Sequence, residues 1–486
     1  MRRALVISIL AFAATPLFAQ DTRTVSEPQF PPTCAVLEAG RISDAGILSP
    51  EYEKTTDTAR IQKALDECSP GHAVELSRGK IQISTLAMQF IPNAFLSGAL
   101  ELREGVTLLI DKGVTLYASR DPKDFDPNPG ADSKLLCGTI SETPGTDPTP
   151  PGRQCKPLIS VTNVKNAAIM GDGTIDRRGG AKIIGHDYSW WQMARAAEPK
   201  QLRYYSVRLI IATHADGFIL YRITLHNSPN FHVSVNNTAG FTAWGVHLQT
   251  PTIKSADARN TDGIDPGAST NITIAKSWLD TGDDNIAIKQ GTTHISVLDN
   301  HFYNGHGMSI GSETFAGDSF LLVDGLTEDH TTSGIRIKSN ATRGGLVHDL
   351  TYRNICMRNV LIPIAISPFY NNQTTESFTD PNIPGDRIPD YKNITLQNVI
   401  ATTPGDVLIA GKDAAHITEI KLDGVIINQI KPDQIHAQFA HVTLQGRSTN
   451  LNFIGNNVTV DARATIPNAN FDAEIKSCST KFLPMQ

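Results

Sequence analysis

Residues 271–302 read NITIAKSWLDTGDDNIAIKQGTTHISVLDNHF, and this stretch decides the fold. NITIAKSWL at its start and HISVLDNHF at its end alternate apolar and polar residues, with β-branched side chains on the apolar phase, which is the pattern of a half-buried strand. Ile272 and Ile295 hold equivalent places in the two segments and lie 23 residues apart. The same step of 23 separates Phe218 from Phe241, while Ile394 and Ile420 differ by 26. From 241 to 272 the step is 31, lengthened by the insertion TPTIKSADAR. A period in the low twenties combined with β alternation predicts an all-β solenoid, a right-handed parallel β-helix of about ten coils. Equivalent residues on successive coils then stack about 4.8 Å apart. A β-sandwich would need a hairpin turn about every 8–12 residues, and NG and DG pairs are few.

Around this repeat, the remaining segments take auxiliary places. Residues 57–68, DTARIQKALDEC, read as a helix with Asp57 as its cap and Ile61, Ala64, Leu65 and Cys68 in one buried stripe. Such a helix suits a cap over the open N-terminal end of the solenoid. At about 150 residues per domain, 486 residues suggest three domains, but the recurring period makes residues 20–486 a single solenoid domain. Two stretches rich in Pro, Gly and Asp, 119–157 and 371–390, read as long loops on one face, bordering a groove. Residues 1–19 read as a signal peptide, with Arg2-Arg3, an apolar Ala4 to Ala14 and cleavage near Ala19, so the expected destination is outside the cytoplasm. No later run is long enough to span a membrane.

The 43 Lys+Arg against 49 Asp+Glu give −6, and loss of Arg2 and Arg3 leaves −8, which argues against nucleic acid as a partner. The six cysteines, Cys34, Cys68, Cys137, Cys155, Cys356 and Cys478, form an even set in an oxidising destination. About 15 connectivities are open to them. The local pairs Cys34–Cys68 and Cys137–Cys155 are the first expectation, and Cys356–Cys478 follows by elimination. There is no CxxC pair, so no metal site is expected.

Four polar clusters interrupt the middle coils: NTDGID (260–265), GDDNIAIK (282–289), GHGMSIGSE (305–313) and GIRIKS (334–339). Singly, each passes for turn chemistry or a solvated strand face. Their spacing changes that reading. Asp262 to Asp283 is 21 residues, Asp284 to His306 is 22, and His306 to Arg336 is 30, one coil plus an insertion. All four therefore fall on one face of a solenoid, where three carboxylates, an imidazole and two cations gather. Three acids at close range repel and desolvate poorly, so the cluster reads as a functional site. Glycoside hydrolysis fits it: one carboxyl gives a proton to the leaving oxygen and another activates water, and crowding drives their pKa values apart. Arg336 and Lys338 are placed to receive a substrate carboxylate, which implies an acidic sugar polymer. No cofactor is required.

In this order and spacing NTDGID, GDDNIAIK, GHG and RIK resemble the four signatures of the polygalacturonases, glycoside hydrolase family 28. The likeness extends to GTID at 173–176, Trp190-Trp191, NSPNFHV at 227–233 and the Tyr370 region, and the TVSEP segment from Thr24 to Pro28 is similar to the start of secreted bacterial endo-polygalacturonases. The resemblance implies inverting hydrolysis of α-1,4-linked galacturonan by a monomer. Asp283 then matches the general acid, Asp262 and Asp284 the pair that activates water, and His306 the histidine that keeps the acid's protonation correct. Arg336 and Lys338 match the carboxylate-holding cations, with Asn260, Tyr370 and Gly307 in the substrate-binding set. Arg177-Arg178 departs from the pattern, since relatives carry Gly first, and this is expected to alter a nearby turn. Exo cleavage, a Ca²⁺-dependent pectate lyase and a non-catalytic polysaccharide-binding β-helix are the alternatives. Consecutive Asp283 and Asp284 cannot both face the groove from a flat strand, so a bend at Gly282 is expected.

Overall fold

The computed structural model describes residues 20–44, 46–83, 89–128, 136–144, 155–200, 202–251, 258–371, 377–462 and 471–485. The expected leader, 1–19, lies outside these, as do parts of both long loops and most of the TPTIKSADAR insertion. Among the described residues, successive coils contribute rungs to an eleven-stranded parallel sheet. Its rungs are β1 (Leu100–Glu101), β2 (Ile159–Thr162), β3 (Ile210–Thr213), β4 (Val233–Asn236), β5 (Ile264–Gly267), β6 (Ile286–Ile288), β7 (Met308–Gly311), β8 (Ser333–Lys338), β9 (Ile362–Ser367), β10 (Val407–Ala410) and β11 (Ile435–Gln438). A 22-stranded sheet supplies the other walls of the same coils. There the ladder Ile272, Ile295, Leu321, Leu350, Ile394, Ile420 and Val442 runs in parallel register, so the periodicity read from the sequence is the register of a right-handed parallel β-helix. Phe218 and Phe241 stack with ring centroids 5.7 Å apart.

Strand alternation sorts the groove sheet into an inner and an outer face. Ile264, Ile286, Met308 and Ile335 form one inward column, and Ile288, Ile310 and Ile337 belong to the next, all buried in one core that runs the length of the solenoid. The intervening residues point outward. Asp265 stacks on Ser234, Lys289 on Gly267, Arg336 on Ser309, and Lys338 on Gly311.

Helix α1 (Thr58–Glu67) covers the N-terminal end with Ile61 and Leu65 fully buried and Ala64 half-buried beside them. Asp57 precedes it as expected, but its side chain does not cap the helix. The carboxylate instead pairs with Arg41, accepts from Arg60 Nε at 2.8 Å and accepts from the Leu96 N–H at 2.9 Å. Two charged donors and a strand amide outcompete the helix's own amides for it. Gln62 on α1 joins the exposed edge of β1. Its Oε1 accepts from the Glu101 N–H (2.8 Å) and its Nε2 donates to the Glu101 carbonyl (3.0 Å).

All three disulfides fall as expected: Cys34–Cys68, Cys137–Cys155 and Cys356–Cys478. The last ties α2 (Asp472–Ser479) to the flank of the C-terminal coils. At the Arg177-Arg178 departure, Arg178 takes a left-handed φ of +60°, a conformation easier for Gly, and its Nη1 pairs with Glu53 at 2.6 Å. Arg177 turns fully inward, with its guanidinium 4.0 Å over the Phe125 ring, and burial pushes its pKa down to about 9.

Candidate active site

A groove of about 700 Å³ lies over the outer face of β4 to β8. Asp262, Asp284 and His306 each stand two residues before their rung's first inward apolar residue, Ile264, Ile286 and Met308, which are in register. The three side chains therefore form a column at the groove's lip, and Asp283 precedes it by one residue. Backbone bonds lock the column: the His232 N–H donates to the Asp262 carbonyl, the Gly263 N–H to that of Asp284, and the His306 N–H to that of Asp283, all at 2.9–3.0 Å.

Asp283 and Asp284 both reach the groove because they lie in a bend between Thr281 and Ile286, not in a strand. Gly282 is required here for a reason other than a special φ. A Cβ at this position would come within 2.1 Å of the Ala258 carbonyl on the preceding coil. Gly307 is different, with a φ of +79° and a would-be Cβ 2.1 Å from the Ser333 carbonyl, and its N–H donates to Asn285 Oδ1 at 2.9 Å. That turn aims His306 back at the acids.

His306 Nδ1 sits 3.1 Å from Asp283 Oδ1 and 3.9 Å from Asp284 Oδ1. Burial works to raise the Asp283 carboxyl, but the neighbouring His306 imidazole outweighs it and holds the group at about 2. Asn260 Nδ2 donates to the other Asp283 oxygen at 3.4 Å. Asp284 is the most tightly held acid. Arg336 Nη1 donates to Oδ1 (2.8 Å), Lys338 Nζ to Oδ2 (2.7 Å) and Ser309 Oγ to Oδ1 (2.8 Å). Burial opposes ionisation, yet Lys338 and Arg336 keep this carboxyl far below the usual carboxylate range. The two expected substrate cations thus meet an internal carboxylate in the free groove. Tyr370 stands over them, with Lys338 Nζ 5.4 Å from its ring centroid.

Asp262 goes the other way: burial, then the charges of Asp265 and Asp283, push its carboxyl well above the usual range. Of the residues singled out for the site, Asn260, Asp262, Asp283, Asp284, His306, Arg336, Lys338 and Tyr370 line this one groove, and Gly307 follows His306 in the chain. Sequence reasoning missed Asp265, Lys289 and Arg208. The first two were legible, because the parity that sends Ile264 and Ile288 inward sends Asp265 and Lys289 outward. Arg208 carries no motif. It reaches the groove from the segment before β3, donating to Asn230 Oδ1 (3.1 Å) and Ser234 Oγ (3.2 Å). The described part of the long loop at 119–157 reaches a neighbour of the groove: Ile140–Pro144 pairs with Leu202–Tyr204, and Tyr204 OH donates to Asn260 Oδ1 at 3.4 Å. Among the described residues the one group of three His, Cys, Asp or Glu side chains with possible metal-ligand atoms within 4.8 Å of one another is Asp283, Asp284 and His306, and Arg336 and Lys338 already pair with the Asp284 carboxylate.

Fold and cluster together define a class, the parallel β-helices that carry a carboxylate-centred groove along one sheet. Within it, the model of glycosyl hydrolases family 28 matches residues 151–449, and the chain belongs to that family. It is 39% identical over 426 residues to an endo-polygalacturonase of Pectobacterium carotovorum subsp. carotovorum, covering 87% of this chain and 93% of that one. It is 33% identical to a polygalacturonase of Ralstonia nicotianae, covering 99% and 96%. Among solved structures, the polygalacturonase from Erwinia carotovora ssp. carotovora superposes with a TM-score of 0.72 at 37% identity, over 91% of this chain and 100% of that one.

Proposed function

We infer that the protein is an endo-acting polygalacturonase, cleaving α-1,4 bonds between galacturonate residues of polygalacturonan and pectin with inversion. The observation that carries the chemistry is the Asp283–His306 contact, flanked by Asp262 and Asp284. A proton shared between His306 Nδ1 and Asp283 Oδ1 is available to the glycosidic oxygen as its bond to the anomeric carbon breaks. Asp262 takes a proton from the attacking water, which joins that carbon from the opposite face. Asp284, kept ionised by its two cations, orients the water. Arg336 and Lys338 hold the galacturonate carboxylate, with Asn260, Gly307 and Tyr370 along the sugar. One chain supplies the whole site, which supports a monomer. Secretion after cleavage near Ala19 is supported by three disulfides, which need an oxidising compartment. Among the described residues no helix is long and apolar enough to cross a membrane.

The test is a timed product profile on polygalacturonic acid, with the anomer read by NMR. A ladder of oligomers and an initial β-anomer are expected, at a rate unchanged by EDTA and without unsaturated products. Monomer or dimer alone means exo cleavage, and unsaturated products mean a lyase. Asp283→Asn should lower activity by orders of magnitude with polymer binding retained; near wild-type release of reducing ends would sink the assignment.

A further inference from the structure

We propose that Asp265 and Lys289 are positioning residues that set the charge of Asp262 without touching the substrate, an inference that rests on Asp262 being the base. Asp265 leaves the outer face of β5 three residues after Asp262, and Lys289 leaves the same face just after β6. The Lys289 ammonium stands 4.0 Å from Asp262 Oδ2 and 3.9 Å from Asp265 Oδ2. It donates to the Gly311 carbonyl at 3.1 Å and lies 5.7 Å from the Phe231 ring centroid. The carbonyl holds it midway between the acids, in direct hydrogen bond to neither.

Both residues are 3% exposed. Among the described residues neither oxygen of Asp265 has a hydrogen-bond partner, nor does Oδ1 of Asp262. A buried carboxylate without donors is costly, so its presence calls for a role. One cation between two acids balances one negative charge, and the pair keeps one proton between its members. When Asp265 holds that proton, Asp262 is a carboxylate beside Lys289, ready to accept from water. The surrounding charges fit this division. Asp283 and Asp284 face both acids from the bend before β6, Arg208 faces them from the segment before β3, and Glu313 faces Lys289 from beyond β7. Tyr204 adds a phenol facing Asp262. Burial raises both carboxyls, Asp265 to about 7 against Lys289 and Arg208, and Asp262 well above the usual range with the Asp265 charge adding to it, so the charge of Asp262 depends on Asp265 and Lys289.

The test is the acid limb of the kcat/KM profile on polygalacturonate. Asp265→Asn removes a negative neighbour, so Asp262 ionises more easily and the limb moves to lower pH by about one unit. Lys289→Met removes the stabilising cation and moves it to higher pH by about one unit, with Lys289→Arg restoring the wild-type position. A purely structural role would lower kcat with the limb in place. Unmoved limbs in both variants, with Asp262→Asn inactive, overturn this inference alone. An Asp262→Asn enzyme as active as wild type overturns the reading of Asp262 as base, and this inference with it.

Discussion

The proposed function gives Arg336 and Lys338 two anions to serve, Asp284 and the substrate carboxylate, and experiment can separate the two. In the free groove both donate to Asp284 from one strand face. Lys338→Met leaves Asp284 with one cation, so its carboxyl rises and water is oriented less well, while the substrate carboxylate also loses a partner. Charge-assisted hydrogen bonds contribute about 1.5–3 kcal/mol each, so kcat/KM on polygalacturonate should fall about 10- to 100-fold. The variant should also discriminate less against methyl-esterified pectin, measured as the ratio of kcat/KM on the two polymers. An unchanged ratio would assign Lys338 to Asp284 alone. The membership of this cluster was legible in the sequence, because 21- and 22-residue steps equal a coil. The internal pairing was not, since spacing gives the coil on which a side chain sits but not whether its charge is met by substrate or by a neighbour. Gly282 shows the same limit: the need for glycine was visible, but its cause, the Ala258 carbonyl one coil away, is a tertiary contact.

At the scale of elements, the solenoid must protect the ends of its sheets, and α1 does so with one side chain. Gln62 meets both backbone groups of Glu101 on β1, where another strand would otherwise pair. Gln62→Ala removes two hydrogen bonds at a partly solvated edge and should cost about 1–2 kcal/mol in urea unfolding. Faster aggregation by light scattering should accompany it, whereas Gln62→Glu, retaining one acceptor, should fall between the two. If aggregation is unchanged, the edge is guarded by the rest of the helix. The helix itself was legible from its i, i+3, i+4, i+7 stripe. The fate of Asp57 was not, because a good cap residue was drawn away by Arg41, Arg60 and the Leu96 amide, all remote in sequence or outside the first turn's amides. Register was the best-read feature of all, since strand parity fixes which residues share a face once the inward apolar column is known.

Across the whole molecule, the coils interact mainly with their neighbours, so stability is close to a sum of local terms and the ends fray first. The C-terminal tail counters this by reaching back along the flank. Cys478 joins Cys356, Phe482 lies under Arg358 at 4.5 Å, and the Leu483 carbonyl accepts from Tyr303 OH at 2.8 Å, on the coil that leads into His306. The disulfide closes a loop across 122 residues, the longest of the three. On the chain-entropy model such a closure contributes about 4–5 kcal/mol, acting chiefly on the unfolded state. Replacing both cysteines, Cys356→Ser with Cys478→Ser, should therefore lower the urea midpoint strongly while leaving kcat on polygalacturonate near wild type at low temperature, because no groove residue moves. Hydrogen exchange should show the loss first in β10 and β11 and last in β5 to β7, which are packed between coils on both sides. Uniform deprotection would mean that the solenoid unfolds as one cooperative unit, and that the tail pins the entire molecule and not its end.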